Sequence, residues 1–350
     1  MSNSAWSRRE ILKHGMLGVA GVAGLTAAGI STAATARSGS HSDDPQHAGT
    51  AHANGGAHKP GLSATVGQVT RGSIDPAAFL EHFDYGSVSI LPDGRVLREY
   101  RISAVDVDIE VAPGVMFAAW AYNGQVPGPT LRATEGDVAR VHFTNAGSHA
   151  HTLHFHGIHA ARMDGVFEVV YPGEQFTYEF TARPAGLQLY HCHAVPLKRH
   201  IAKGLYGTFI IDPKVPRPPA REMVMVLNGF DTNFDAKNEV YAVNTVPFAY
   251  HHRPITVVKG ELQRIYMVNI LEFDLINSMH LHGNFFTLFR TGAVSSSEFT
   301  DTVMFCQGER HILEFTYEET GPFMFHAHQS EFAELGWMGV FDVVDGEVTA

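Results

Sequence analysis

The turn-like Glu135-Gly136-Asp137 leads into the alternating run Arg140–Phe143 and then into His154-Phe155-His156-Gly157. The same order returns later as Gly260-Glu261, the run Arg264–Val268, and His280-Leu281-His282-Gly283. Two more elements match. His191-Cys192-His193 is followed by a closing run from Gly204 to Ile211, and His326-Ala327-His328 by one from Gly336 to Val344. One unit therefore occurs twice. Val105–Val111 and Phe176–Phe180 in the first half, and Val224–Leu227 and His311–Phe315 in the second, are short strand-like runs between turn residues. No long 3.6-residue period follows Asp75. The pattern predicts an all-β chain of two Greek-key β-sandwich domains. Residues 76–213 form the first and 221–350 the second. Between them, 214–220 is a stiff linker marked by Pro216, Pro218 and Pro219, just after Pro213.

Composition narrows the function. The chain has 350 residues, 45% hydrophobic and 17% charged, which supplies two buried cores and excludes a disordered chain. Two cysteines exclude a disulfide scaffold and a four-cysteine zinc site. A net charge of −11 argues against nucleic acid as a partner. The 22 histidines are the unusual feature, because imidazole is the commonest ligand for transition metals.

The N-terminus reads as an address. Arg8-Arg9 precedes a Gly/Ala/Val-rich stretch from Met16 to Ile30, and Ala34-Thr35-Ala36 offers a cleavage site. Residues 1–36 resemble a twin-arginine export signal, which implies a periplasmic or extracellular protein with no membrane span once the signal is removed. A membrane anchor is the alternative, but the stretch is weakly apolar and short for a span of about 20 residues. Residues 37–75 read as a flexible linker containing His41, His47, His52 and His58, either as a solvated tail or as a transient copper-capture segment.

The remaining histidines form a constellation. Strand residues i and i+2 share a face, so each His-X-His presents two imidazoles side by side. Four such pairs at matched places supply eight nitrogen ligands, too many for one ion and suited to a cluster of two or three copper ions. Cys192 adds a second site. With His151 upstream and His200 downstream it completes the one-thiolate, two-imidazole set of a blue-copper centre. The position of the usual weak axial ligand holds Leu205, which leaves that copper three-coordinate and predicts a raised potential. Because Cys192 lies between His191 and His193, its sulfur serves one site while its neighbours hold the other.

These motifs resemble those of two-domain, laccase-like multicopper oxidases, relatives of the copper nitrite reductases. The resemblance runs from Tyr122 to Val344. It rests on Tyr122-Asn123-Gly124-Gln125-Val126-Pro127-Gly128-Pro129-Thr130, His151-Thr152-Leu153-His154-Phe155-His156-Gly157, Met163-Asp164-Gly165, Tyr190-His191-Cys192-His193 and both second-domain pairs. It implies cupredoxin folds and four coppers per subunit. His151, Cys192 and His200 resemble the type 1 ligands. His154 and His280 resemble type 2 ligands, and His156, His191, His193, His282, His326 and His328 type 3 ligands. The type 1 copper takes electrons from a donor, and the trinuclear cluster reduces dioxygen to water. Asp164 resembles an acid that assists proton delivery, though a turn residue before Gly165 is an equal reading. Glu331 is a weaker candidate. The family's two-domain members close as homotrimers, with domain 1 of one subunit facing domain 2 of the next.

The second domain departs from the first. Asn277 stands in the place of His151 and Ala327 in that of Cys192, so domain 2 holds no type 1 copper. The donor is a phenol, an aromatic amine or a metal ion; a charge near −13 without the signal mildly favours a cation. Two alternatives remain. A nitrite reductase is favoured by Glu331-Phe332-Ala333-Glu334-Leu335-Gly336, but His154 replaces the catalytic Asp of that family and His193 adds a ligand it lacks. A copper-storage or carrier protein would need fewer histidines. Cys306 is expected to be a small buried hydrophobe and the scattered methionines core residues. His142 is expected at the surface or in a structural role, and His149, His159, His251 and His252 carry no assignment.

Overall fold

The computed structural model of the chain describes residues 74–293 and 296–346. The export signal and the linker histidines lie outside the described residues. In chain order the first half contains helix α1 (Pro76–Leu80) and strands β1 (Ser87–Ile90), β2 (Val96–Ala112), β3 (Val115–Tyr122), β4 (Leu131–Thr134), β5 (Val138–Asn145), β6 (His154–Phe155), β7 (Gln175–Thr181) and β8 (Gly186–His191). Helix α2 (Leu197–Ala202) and β9 (Tyr206–Asp212) complete it. The second half contains β10 (Arg221–Phe230), β11 (Val240–Val243), helix α3 (Ala249–His252), β12 (Ile255–Val258), β13 (Gln263–Asn269), β14 (Ile276–Leu281), β15 (Phe286–Arg290), β16 (Glu298–Thr300), β17 (Thr302–Cys306), β18 (Arg310–Phe315), β19 (Gly321–His326), helix α4 (Ser330–Glu334) and β20 (Met338–Val344). The six short runs each fall within a strand, and the closing runs from Gly204 and Gly336 enter β9 and β20 two residues later.

Each half is a pair of facing sheets. The first pairs β1-β2-β5-β7, with β3 added to β2, against β4-β9-β8-β6. The second pairs β11-β10-β13-β18-β15-β16 against β12-β20-β19-β14-β17. The duplication reaches register. β2 runs parallel to β5 as β10 does to β13, and β4 parallel to β9 as β12 does to β20. This is the cupredoxin-like all-β architecture.

Alternation decides the faces. In β5, Val141 and Phe143 turn into the first core while Arg140 and His142 face out to Glu99, Thr177 and Glu179. His142 is thus a structural surface residue. β10 is buried on both faces. Met223, Met225 and Leu227 enter the second core, whereas Val224 and Val226 join a third core with Phe117, Leu189 and Tyr206 from the first half. That third core, burying apolar area at roughly 25 cal/mol per Å², fastens one sandwich to the other. A buried ion network lies beside the 214–220 segment. Glu222 accepts Arg132 at 2.5 Å, Arg264 at 3.0 Å and the Tyr266 hydroxyl at 2.7 Å.

Two expectations need correction. Cys306 is exposed, because in β17 Val303 and Phe305 take the inward positions and parity turns Met304 and Cys306 outward. Of the methionines, Met223, Met225 and Met279 are core, while Met324 and Met338 are half-buried on their strands.

Candidate metal centre

The first constellation forms where β8, α2 and the segment before β6 converge. His151 Nδ1 and His200 Nδ1 lie 3.2 Å apart; Cys192 Sγ is 3.2 Å from the latter and 3.9 Å from the former. All three residues are buried. One ion with bonds of about 2.0 Å to nitrogen and 2.3 Å to sulfur fits among these atoms. Burial pushes His151 and His200 down to about 4, so both imidazoles are neutral and offer lone pairs at neutral pH. Burial also raises the Cys192 thiol, so an ion binding there must displace its proton. The Thr152 N–H points at Sγ from 3.4 Å, and the Tyr122 hydroxyl holds the Thr152 carbonyl at 2.8 Å. Leu205 is buried in the same core as Cys192, and its carbonyl accepts the Cys192 N–H at 3.0 Å.

Sequence reasoning missed Trp120, which covers this site. Its ring packs on His149 at 4.4 Å, His200 at 4.8 Å and His151 at 5.4 Å. Its only sequence signal was an aromatic residue ahead of the Tyr122 motif. His149, left unassigned, is therefore part of the cover.

A histidine quartet lies alongside. The register pairs His154 with His191 across β6 and β8. His156 Nε2 and His191 Nε2 are 3.2 Å apart, and the His154 ring is 5.0 Å from each of those rings and 5.4 Å from His193. Ring orientation is set from behind. His154 Nδ1 donates to the Asp164 carbonyl at 2.6 Å and His191 Nδ1 to the Cys192 carbonyl at 2.9 Å, which leaves both Nε2 atoms facing inward. Burial pushes His156 down to about 2 and His191 to about 4, so both are neutral donors. Gly165, at φ 73°, makes the turn possible: a Cβ there would collide with the Leu153 carbonyl. The Asp164 carboxylate lies 3.4 Å from His154 Nδ1 and 3.8 Å from His159 Nε2. Asp164 is thus both a turn residue and a neighbour of the quartet.

The second quartet repeats the first. His280 pairs with His326, and His282 Nε2 lies 2.9 Å from His326 Nε2. His280 is 4.8 Å from His282 and 5.5 Å from His328, ring to ring. Asp301 takes the part of Asp164 through its carbonyl, 3.1 Å from His280 Nδ1, with the Thr302 hydroxyl at 2.9 Å. No linear spacing announced it. Ser278 Oγ accepts the His328 N–H at 2.7 Å as Thr152 Oγ1 accepts that of His193 at 2.7 Å. Among the described residues no ring contact joins the two quartets within one chain, and His282 and His328 are exposed. Glu331 lies apart from them, lining a surface cavity with Tyr241 and Asp274.

In domain 2 the place of the thiolate site is filled. Ala327 N–H donates to the Trp337 carbonyl as Cys192 N–H does to Leu205. Trp337 is fully buried, and its indole N–H donates to Asn277 Oδ1 at 3.0 Å. An indole thus stands where the first domain gathers its sulfur and two imidazoles.

Two family models described as "Multicopper oxidase" match residues 105–216 and 216–347. A solved structure titled as a multicopper oxidase is 56% identical, with TM-score 0.77, over 78% of this chain and 98% of that one. The blue copper oxidase from Nitrosomonas europaea is 29% identical, TM-score 0.62, over 71% and 86%. A copper-containing nitrite reductase of Neisseria meningitidis is 27% identical over 252 residues, 65% of this chain. The chain spans 64% of that relative's length. On the matched models, the 56% relative and the two copper-ligand constellations, this chain belongs to the multicopper oxidase family.

Proposed function

We propose that the chain is an oxygen-reducing oxidase with four coppers per subunit. One is held by His151, Cys192 and His200. Three are held by His154, His156, His191 and His193 together with His280, His282, His326 and His328. When bound, copper supplies one-electron acceptance at the thiolate site and reduction of dioxygen to water at the cluster. The observation that carries the reading is the pair of matched quartets, one of them joined to Cys192 by peptide bonds on both sides. Cys192 gives a short covalent route from the buried sulfur to His191 and His193. In this reading Asp164, its side chain a third exposed and its Oδ1 3.4 Å from His154 Nδ1, passes protons between solvent and the cluster. Each donor molecule, a phenol, an aromatic amine or a metal ion, gives up one electron. A phenol also releases its proton, and four electrons with four protons convert one dioxygen to two waters.

Two quartets that share no ring contact among the described residues of one chain support a homotrimer in which each cluster is shared between subunits. A monomer in light scattering that kept full activity would sink this. Twin-arginine export to the periplasm or beyond is part of the same proposal, and replacing Arg8 and Arg9 by Lys should retain the protein in the cytoplasm. The second reading is nitrite reduction, favoured by the Neisseria likeness. Copper content with oxygen and nitrite turnover separates them. Four coppers and oxygen uptake support the oxidase; two coppers and nitrite turnover support the reductase.

A further inference from the structure

The face of α2 that carries Lys198 and Arg199 lines a groove of about 540 Å³ between the two halves of the chain. Phe117, Lys198, Arg199 and Lys203 come from the first half, and Phe234 and Phe273 from the second. The volume suits a small molecule. His200 sits on the same short helix, on the side turned toward Cys192, so a molecule in the groove is one helix away from the buried thiolate site.

Three observations describe what fits there. First, the cations sit over rings. Lys198 Nζ is 4.5 Å from the Phe273 centroid, Lys203 Nζ 4.7 Å from that of Phe234, and the Arg199 guanidinium 5.1 Å from Trp120. Second, no carboxylate of the described residues touches these charges, although Lys203 Nζ donates to the Ala118 carbonyl. Among the described residues none of the three forms an ion pair. Asp106 and Asp108 act on Lys203, and Lys198 acts on Glu272, only through space. Asp231, the one acid in the wall, receives the Asp235 and Ala236 N–H groups. Third, the second-half wall is strained. Phe234 (φ 64°), Ala236 (φ 69°) and Phe273 (φ 72°) all hold the left-handed conformation, which is costly for bulky side chains. The fold spends that strain on presenting two rings, one of them exposed, to the groove.

We propose that this groove binds the electron donor, and that the donor is an aromatic molecule carrying an anionic group, such as a methoxyphenol carboxylate, rather than a metal cation. The inference rests on the oxidase reading for the word donor, but the binding site stands on its own geometry. The residues lining the groove carry three cations against one acid, opposite in sign to the whole chain. A ring packed beside Phe234 and Phe273, whose faces carry the two ammonium groups, places its anionic group next to Lys198 and Arg199, while Lys203 Nζ is held by the Ala118 carbonyl.

The test uses the full copper-loaded protein and a redox-inert probe. Calorimetry with naphthalene-2-sulfonate, its neutral analogue naphthalene-2-sulfonamide and (2-naphthylmethyl)trimethylammonium should give the order anion, neutral, cation. Lys198→Gln should weaken the sulfonate about tenfold and leave the sulfonamide unchanged. Phe273→Ala should weaken both, and Lys259→Gln, which removes a charge elsewhere, neither. Equal affinity for sulfonate and sulfonamide, or an unchanged sulfonate Kd in Lys198→Gln, overturns the proposal. In oxygen uptake, the ratio of kcat/KM for 4-hydroxy-3,5-dimethoxybenzoate over 2,6-dimethoxyphenol should fall in Lys198→Gln; oxygen consumption with an unmoved ratio overturns the donor assignment. Sulfonate binding without oxygen uptake from any donor counts against the oxidase reading alone and leaves the anionic-aromatic site in place.

Discussion

Single residues set the chemistry available at each position. Leu205 offers no donor atom where the thiolate site is expected to have a weak one. Leu205→Met should lower the potential of the copper-loaded protein in a redox titration, and an unchanged midpoint would refute the three-coordinate reading. His311 shows a cost of burial. It is fully buried against the Phe305 ring, with Arg290 opposite it in register, and among the described residues neither ring nitrogen has a hydrogen-bond partner. Glu309 Oε1, 3.4 Å from Nε2, favours the charged form, and Glu298 adds to it; burial outweighs both and pulls the imidazole down to about 4. The unfolded chain therefore binds more protons below pH 6.5. Stability is complete above that value and is lost as pH falls from 6.5 toward 4. In denaturant titrations at several pH values, His311→Leu should flatten this slope relative to the parent; parallel curves would refute it. The grouping of the histidines was legible at this scale, because each His-X-His starts at or next to a strand end and sets its two rings close together. The cover by Trp120 and the Asp301 carbonyl were not legible, because both arrive from distant segments without a spacing of their own.

Elements convert these residues into a frame. Strand runs were readable because alternation marks inward and outward positions, and β5 follows it from Ala139 to Asn145. The same rule corrects Cys306, which shares outward parity with Met304. Alternation does not say what covers a second buried face, and so the destination of Val224 and Val226 in β10 was hidden. The start of that strand also carries the ion network. Burial opposes charge on Glu222, yet the guanidinium of Arg132 together with Tyr266 and Arg264 keeps its carboxyl below the usual range. Glu222→Gln strips one negative charge from between two buried guanidiniums and should cost about 3 kcal/mol in chemical denaturation. A loss under about 1 kcal/mol would show that Asp212 and Glu314 suffice for Arg132 and Arg264.

At the scale of the molecule, the two sandwiches share a core made of strands from both. That core predicts one cooperative thermal transition for residues 74–346, with equal calorimetric and van't Hoff enthalpies in the metal-free protein. Two resolved transitions would show that the sandwiches unfold separately. The duplication was legible from four histidine pairs and two glycines, Gly204 and Gly336, at matched places. Its consequence in domain 2 was only half legible: Asn277 and Ala327 announced a missing site, and only the fold shows Trp337 inside it. That substitution trio also sets a barrier between sequences. Changing Asn277 alone leaves the Trp337 N–H without its acceptor in a sealed interior. Restoring a cysteine at 327 alone buries a thiol against an indole, and shrinking Trp337 alone opens a void. Each single step costs stability before all three are in place, so the two sandwiches, however alike in backbone, are separated by a barrier of intermediate sequences.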